Sequence, residues 1–96
     1  MITKKYSQDK KKCRVTFKLP VEIASEKVQL YGDFNNWVGQ NMTELKNGSF
    51  SLSITLPAGR KYLFRYLLDG DRWENDTQAD SSVPNPYGSE DSVLDI

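Results

Sequence analysis

An all-β sandwich is predicted for this 96-residue chain by three observations. Apolar and polar residues alternate over several short stretches, turn-forming pairs separate those stretches at regular spacing, and no stretch holds a 3.6-residue period. The length fits one domain with one core, of a size that folds unaided.

Residues 1 to 11 are polar and Lys-rich (Lys4, Lys5, Lys10, Lys11), and read as a solvated, partly disordered tail, with polyanion binding as the alternative. The sandwich is expected over residues 12 to 96. From Lys12 the pattern alternates: Cys13, Val15, Phe17 and Leu19 share one face and Arg14, Thr16 and Lys18 the other, a half-buried strand stopped by Pro20. Residues 21 to 27 connect it to a short strand, Val28-Gln29-Leu30-Tyr31. That strand delivers Gly32-Asp33-Phe34-Asn35-Asn36-Trp37, the turn around which the chain is organised. Gly32 supplies backbone freedom there, and Asp33, Asn35 and Asn36 are turn-formers whose side chains bond nearby backbone. Phe34 is expected to anchor this turn in the core and Trp37 to be presented outward.

Thr43-Glu44-Leu45-Lys46 reads as a short strand before Asn47-Gly48, the dipeptide best suited to a tight hairpin. In the returning strand Phe50, Leu52, Ile54 and Leu56 alternate with serines and a threonine, and Pro57-Ala58-Gly59 turns the chain. Residues 62 to 68 are apolar on both faces except at Arg65. Tyr62, Phe64, Tyr66 and Leu68 face the core, while Leu63, Arg65 and Leu67 form an outer surface that something covers at least part of the time. Asp69-Gly70 turns the chain again, just before Arg72 and Trp73. Residues 74 to 91 form an irregular but ordered loop stiffened by Pro84-Asn85-Pro86, and Ser92 to Ile96 close the domain as a strand.

Composition removes several classes of function. Formal net charge is zero, so no global field draws nucleic acid or anionic membrane to the chain. No window approaches the ~18 apolar residues of a membrane span, and the charged start has no apolar segment behind it, unlike a secretory signal. Cys13 is the single cysteine and there is no histidine. The cysteine count points to a reducing cytoplasm, and the missing histidine takes away the commonest general base and zinc ligand.

Trp37, Trp73 and Tyr87 lie at turns or strand ends, and Arg65 lies on the strand before Trp73. Flat rings beside hydrogen-bonding groups suit a sugar, whose C–H face stacks on an aromatic while its hydroxyls need donors and acceptors. Filling corners of the sandwich is the plainer role for either tryptophan. Asp69, Asp71, Glu74, Asp76 and Asp80 alternate with small turn residues. They read as turn-formers rather than as a glycosidase pair or a calcium loop. Glu90 and Asp91 either polarise a sugar hydroxyl or solubilise an edge. Cys13 reads as a buried, inert thiol.

Taken in order, Val28 to Trp37, the strand around Phe64-Arg65-Tyr66, Asp69-Gly70, Trp73 and Asn85-Pro86-Tyr87-Gly88 resemble the family 48 carbohydrate-binding modules. These are "early set" immunoglobulin-like domains. They are found at the N-terminus of isoamylases and glycogen-branching enzymes, and as the glycogen-binding domain of the AMP-activated protein kinase β subunit. The resemblance covers roughly residues 12 to 96. It implies that Trp37 and Trp73 stack on α-1,4-linked glucose and that Arg65, where the family often has lysine, contacts hydroxyls. Tyr87 stands where kinase modules have a leucine, Ser89 at a hydroxyl position, and Asp91 where asparagine is usual. A carboxylate accepts hydrogen bonds but cannot donate. Asp71 and Arg72 precede Trp73 where kinase modules have one residue, a difference that would shift the ring. The catalytic carboxylates of the related enzymes sit on a separate barrel that does not fit into this chain.

The expectation is therefore a stand-alone, non-catalytic module for glycogen-like or starch-like α-glucan, binding in the micromolar to millimolar range (roughly). No cofactor, metal, nucleic acid or membrane is expected, and a separate enzyme or regulatory subunit is the expected protein partner. The alternatives are a protein-interaction domain of the same fold that has lost the sugar, exposing Leu63 and Leu67, and a small enzyme using the acidic loop.

Overall fold

A computed structural model of the chain describes residues 1–23 and 26–96. The connection expected over residues 21 to 27 thus includes two that lie outside the described residues. Among the described residues ten strands build two antiparallel sheets. The first orders β1 (Ile2–Tyr6), β2 (Lys12–Leu19), β6 (Phe50–Pro57) and β5 (Thr43–Glu44) as β1-β2-β6-β5. The second orders β4 (Gln40–Asn41), β3 (Val28–Gly32), β7 (Lys61–Leu68), β10 (Glu90–Asp95) and β9 (Ser81–Pro84) as β4-β3-β7-β10-β9. β8 (Arg72–Glu74) pairs with the end of β7, beside β10 on the same edge.

Alternation selects the core. Cys13, Val15, Phe17 and Leu19 of β2 are buried, as are Tyr62, Phe64, Tyr66 and Leu68 of β7. Phe17 is the hub, edge-on to Phe64 at 5.3 Å and to Tyr66 at 6.5 Å between ring centroids. Phe50 and Leu56 close the layer from β6, whose Leu52 and Ile54 are only half-buried.

The Lys-rich start departs from the tail expected of it. Ile2–Tyr6 is a strand in full register with β2, from Ile2 opposite Phe17 to Tyr6 opposite Cys13. Lys4 reaches across to the second sheet, donating to both carboxylate oxygens of Asp80 at 2.8 Å and to the carbonyl of Asp95 at 3.0 Å. Tyr6 donates to the carbonyl of Ile96 at 3.2 Å. Burial works to raise the Asp80 carboxyl, but the backbone N–H of Asp95 and the Lys4 ammonium outweigh it and hold the group below its ordinary range. The loop expected over residues 74 to 91 likewise contains a strand, β9, and meets the end of β8 at Glu74 and the start of β10 at Glu90.

One of the two glycine turns differs from expectation. Asp69 and Gly70 both take positive φ (52° and 78°) in the turn expected there, which leaves three residues, 69 to 71, between paired Leu68 and Arg72. At Asn47-Gly48 only the glycine does (85°), and the loop is closed by bonds from Gly48 N–H to Leu45 O and Leu45 N–H to Ser49 O. Among the described residues no helix is long and apolar enough to cross a membrane.

Candidate functional site

The organising turn is locked by its own polar side chains. Asp33–Asn35 form a single 3-10 turn. Asn35 accepts from the Gly32 N–H at 3.0 Å and donates to the Leu30 carbonyl at 3.0 Å. Asp33 accepts from the Leu63 N–H of β7 at 2.8 Å and from the Trp37 indole N–H at 3.0 Å. Asn36 and Trp37 both take left-handed backbone angles (φ 56° and 58°), uncommon for non-glycine residues and rarer still for a bulky ring. Gly32, by contrast, is extended (φ −170°), so backbone freedom is not what the position needs. It needs space: an added Cβ would lie 2.6 Å from the Phe34 ring and 2.8 Å from the Leu63 carbonyl. Phe34 is the anchor, half-buried at 5.8 Å from Phe17 and 6.2 Å from Tyr62. Trp37 is the presented ring, 37% exposed.

β7 supplies the floor. Its outward residues Leu63, Arg65 and Leu67 are half-buried, partly beneath the chain's own aromatics. Tyr31 lies opposite Arg65 on β3, and Trp73 opposite Leu67 on β8. The two rings meet edge-on at 4.9 Å, and the Arg65 guanidinium lies over Trp73 at 5.3 Å. Trp73 remains 46% exposed, so the longer turn at Asp71-Arg72 leaves its ring at the surface.

The third wall is the turn between β9 and β10. Asn85 accepts from the N–H groups of Tyr87 (3.0 Å) and Ser89 (3.2 Å) and donates to Asp91 at 3.3 Å. Asp91 in turn lies 3.9 Å from Arg65 Nε. That Nε is buried and has no hydrogen-bond partner among the described residues. Tyr87 projects from the turn, 90% exposed.

Trp37, Arg65, Trp73, Tyr87 and Asp91, together with Asn85 and Pro86, therefore border one concavity of about 470 Å³. Five of the six residues singled out in the sequence meet there. Ser89 does not line it; its backbone closes the neighbouring turn with Asn85. Asn85, Pro86 and Tyr31 had no assigned place at a site. The Asn-Pro-Tyr-Gly turn signal pointed to the first two, whereas the Tyr31 contact arises only from strand pairing. The arrangement offers ring faces at its rim and a cation beside a carboxylate at its floor, donors and acceptors suited to a flat polyhydroxylated ligand.

Two acidic residues of the 69–80 segment are engaged within the fold. Asp76 is buried and accepts from the Tyr66 hydroxyl at 2.8 Å and the Gln78 N–H at 2.8 Å, while Asp80 holds Lys4. Among the described residues no group of three or more His, Cys, Asp or Glu side chains is placed to hold a metal ion.

Residues 8–96 match the family model described as the glycogen recognition site of AMP-activated protein kinase. The chain belongs to that family. Its members are glycogen-binding domains of the family 48 carbohydrate-binding type, and the aromatic concavity of this family member falls wholly within the matched span. The curated proteins include no match to the sequence. Among solved structures, the glycogen-recognition domain is similar to the ferric enterobactin esterase from Salmonella typhimurium. The TM-score is 0.77 at 14% identity, over 99% of this chain and 34% of the esterase chain. This chain thus spans about 34% of that protein's length, and at such identity the likeness concerns the fold alone.

Proposed function

We propose that this domain binds α-glucan of the glycogen or starch type without catalysing its turnover, using Trp37, Trp73, Arg65 and Tyr87. Asp91 accepts from a sugar hydroxyl, and Ser89 acts by shaping the turn. The observation that carries this reading is the concavity itself, with exposed rings around the Arg65 guanidinium, whose Nε lies 3.9 Å from the Asp91 carboxylate. A sugar hydroxyl accepts from the part of the guanidinium that remains exposed and donates to the carboxylate, which an ether oxygen cannot do. A non-catalytic role is supported by the engagement of Asp76 and Asp80 in contacts within the fold. We further propose that the domain works in the cytoplasm beside an enzyme or regulatory subunit on another chain, which it tethers to glucan.

Titration of tryptophan fluorescence, or of amide chemical shifts, with maltoheptaose and β-cyclodextrin tests the reading. A saturable change is expected between micromolar and millimolar sugar (roughly), weakened at least about tenfold in Trp37→Ala and Trp73→Ala while both stay folded. No change at millimolar sugar would favour a protein-interaction domain of the same fold. That alternative needs tryptophans packed inward and open leucines, whereas Trp37 and Trp73 are exposed and Leu63 and Leu67 are half-buried.

A further inference from the structure

Charge is unevenly distributed along this neutral chain. Residues 1–18 hold seven of the thirteen basic side chains and one of the thirteen acidic ones, a net of +6, and the remainder carries −6. Folding gathers much of that excess on one face. Lys12, Arg14, Thr16 and Lys18 alternate with the buried residues of β2 and so point out of the first sheet. β1 sets Lys5 opposite Arg14 and Thr3 opposite Thr16. β6 sets Thr55 opposite Arg14, Ser53 opposite Thr16 and Ser51 opposite Lys18. Directly opposed residues share a face, so four cations stand here among a field of hydroxyls.

Lys5, Lys12, Arg14 and Lys18 are exposed, and none has an ion-pair partner among the described residues. Lys5, Lys12 and Arg14 border a shallow recess of about 310 Å³ with Tyr6, Ser7 and Thr55. Like charges directly opposite on neighbouring strands, as Lys5 and Arg14 are, repel each other. An anionic partner reverses that cost.

We propose that the outer face of β1, β2 and β6 is a docking surface for an acidic protein segment in extended conformation. Side chains on one face of an extended segment recur every ~6.8 Å, the repeat with which Lys12 and Arg14 leave β2. The serine and threonine hydroxyls bond carboxylate or peptide groups between the cations. One aromatic ring, Tyr6, borders the recess (44% exposed), and a single ring is too small a platform for the successive bases of a nucleic acid. No large aliphatic side chain points outward from these strands, so a membrane meets charge without insertion. The face belongs to the sheet that does not carry Trp37, Arg65 and Trp73. The inference therefore does not rest on the glucan reading.

The test is a titration of the ¹⁵N-labelled full chain with poly-L-glutamate, compared with a single-stranded oligonucleotide and with phosphatidylserine vesicles. Poly-L-glutamate is expected to shift the amides of Lys5, Lys12, Arg14 and Lys18 and to leave those of Trp37 and Trp73 in place. The affinity should fall as salt shortens the screening length. The double variant Lys12→Glu/Arg14→Glu should bind at least about tenfold more weakly, and Arg14→Gln should lie between it and the parent chain. Both substitutions are at exposed positions, and an unchanged spectrum elsewhere verifies the fold. Absence of saturable shifts, shifts on another face, or unaltered binding by the double variant would overturn the proposal. So would binding of the oligonucleotide or the vesicles as tight as that of poly-L-glutamate.

Discussion

Asp33 shows how much one turn residue carries. One carboxylate oxygen holds the Trp37 indole N–H and the other ties the turn to β7 through the Leu63 N–H. These contacts, with the Trp37 N–H bond to the Gly32 carbonyl at 2.9 Å, hold the tryptophan in a backbone conformation that costs about 1–2 kcal/mol. The site is thus arranged before any ligand arrives, which lowers the entropic cost of binding. Replacing Asp33 by Ala should destabilise the fold by about 1–3 kcal/mol in urea unfolding, since the acceptor for both N–H groups is lost. It should also weaken maltoheptaose binding. Stability and affinity equal to the parent's would reduce Asp33 to an ordinary turn-former. Asp33 was legible as a turn residue from its neighbours, but its bond to Leu63, thirty positions away, was not.

At the scale of elements, the floor of the concavity is a cross-strand assembly on β7, braced from both sides. Tyr31 on β3 holds Trp73 on β8, and Gly39 leaves room for Tyr31: an added Cβ there would lie 2.5 Å from the Tyr31 ring. In Gly39→Ala, which lies outside the concavity, Tyr31 must move, and the edge-on contact with Trp73 goes with it. We expect several-fold weaker glucan binding and an altered Trp73 emission spectrum. Unchanged emission together with full affinity would show that the brace is not needed. The long strands β2, β6 and β7 announce themselves by alternation, but β1, β4, β8 and β9 do not. β4 and β8 are too short to show a period. β1 places Lys4 on its inner side, which breaks the apolar pattern, and the compensating partner Asp80 is 76 positions away. β9 is an edge strand of two serines, a valine and a proline, a composition that edges tolerate and that reads as loop.

For the whole molecule, two polar ties join elements remote in sequence. Lys4 and Tyr6 fasten the first strand to the end of the chain. Tyr66, buried in the second sheet, donates to buried Asp76, whose own N–H donates to Ser92 of β10 at 3.0 Å. Burial, then the neighbouring Asp76 carboxylate, pushes the Tyr66 phenol far above its ordinary value of 10.0. The folded state therefore holds this proton more tightly than the unfolded chain does. The resulting stability is fully present below about pH 10 and is lost as pH rises beyond it, by about 1 kcal/mol between pH 10 and 11. Tyr66→Phe should be less stable at neutral pH by about 1–3 kcal/mol, because Asp76 loses a donor. Its stability should then fall less steeply than the parent's above pH 10. Parallel stability curves from urea unfolding across pH 9–11 would show that Tyr66 is not the group responsible.

Local alternation and turn chemistry were enough to determine the fold class, the inner face of each long strand, and the split between an anchored Phe34 and a presented Trp37. These properties depend on residues within a few positions of one another, and burial of one strand face leaves a period that can be read directly. Trp37, Arg65, Trp73, Tyr87 and Asp91 were singled out by their positions and chemistry and then by a resemblance, but their meeting around one concavity was decided by register. Pairing β7 with β3, β8 and β10 is what brings residues from Trp37 to Asp91 to one surface. The role of Gly32 as a space rather than a hinge, the pairing of Lys4 with Asp80, and the burial of Asp76 against Tyr66 came only with the tertiary structure. Each depends on an atom supplied by a distant strand, and nothing in the neighbouring sequence records where that atom will be.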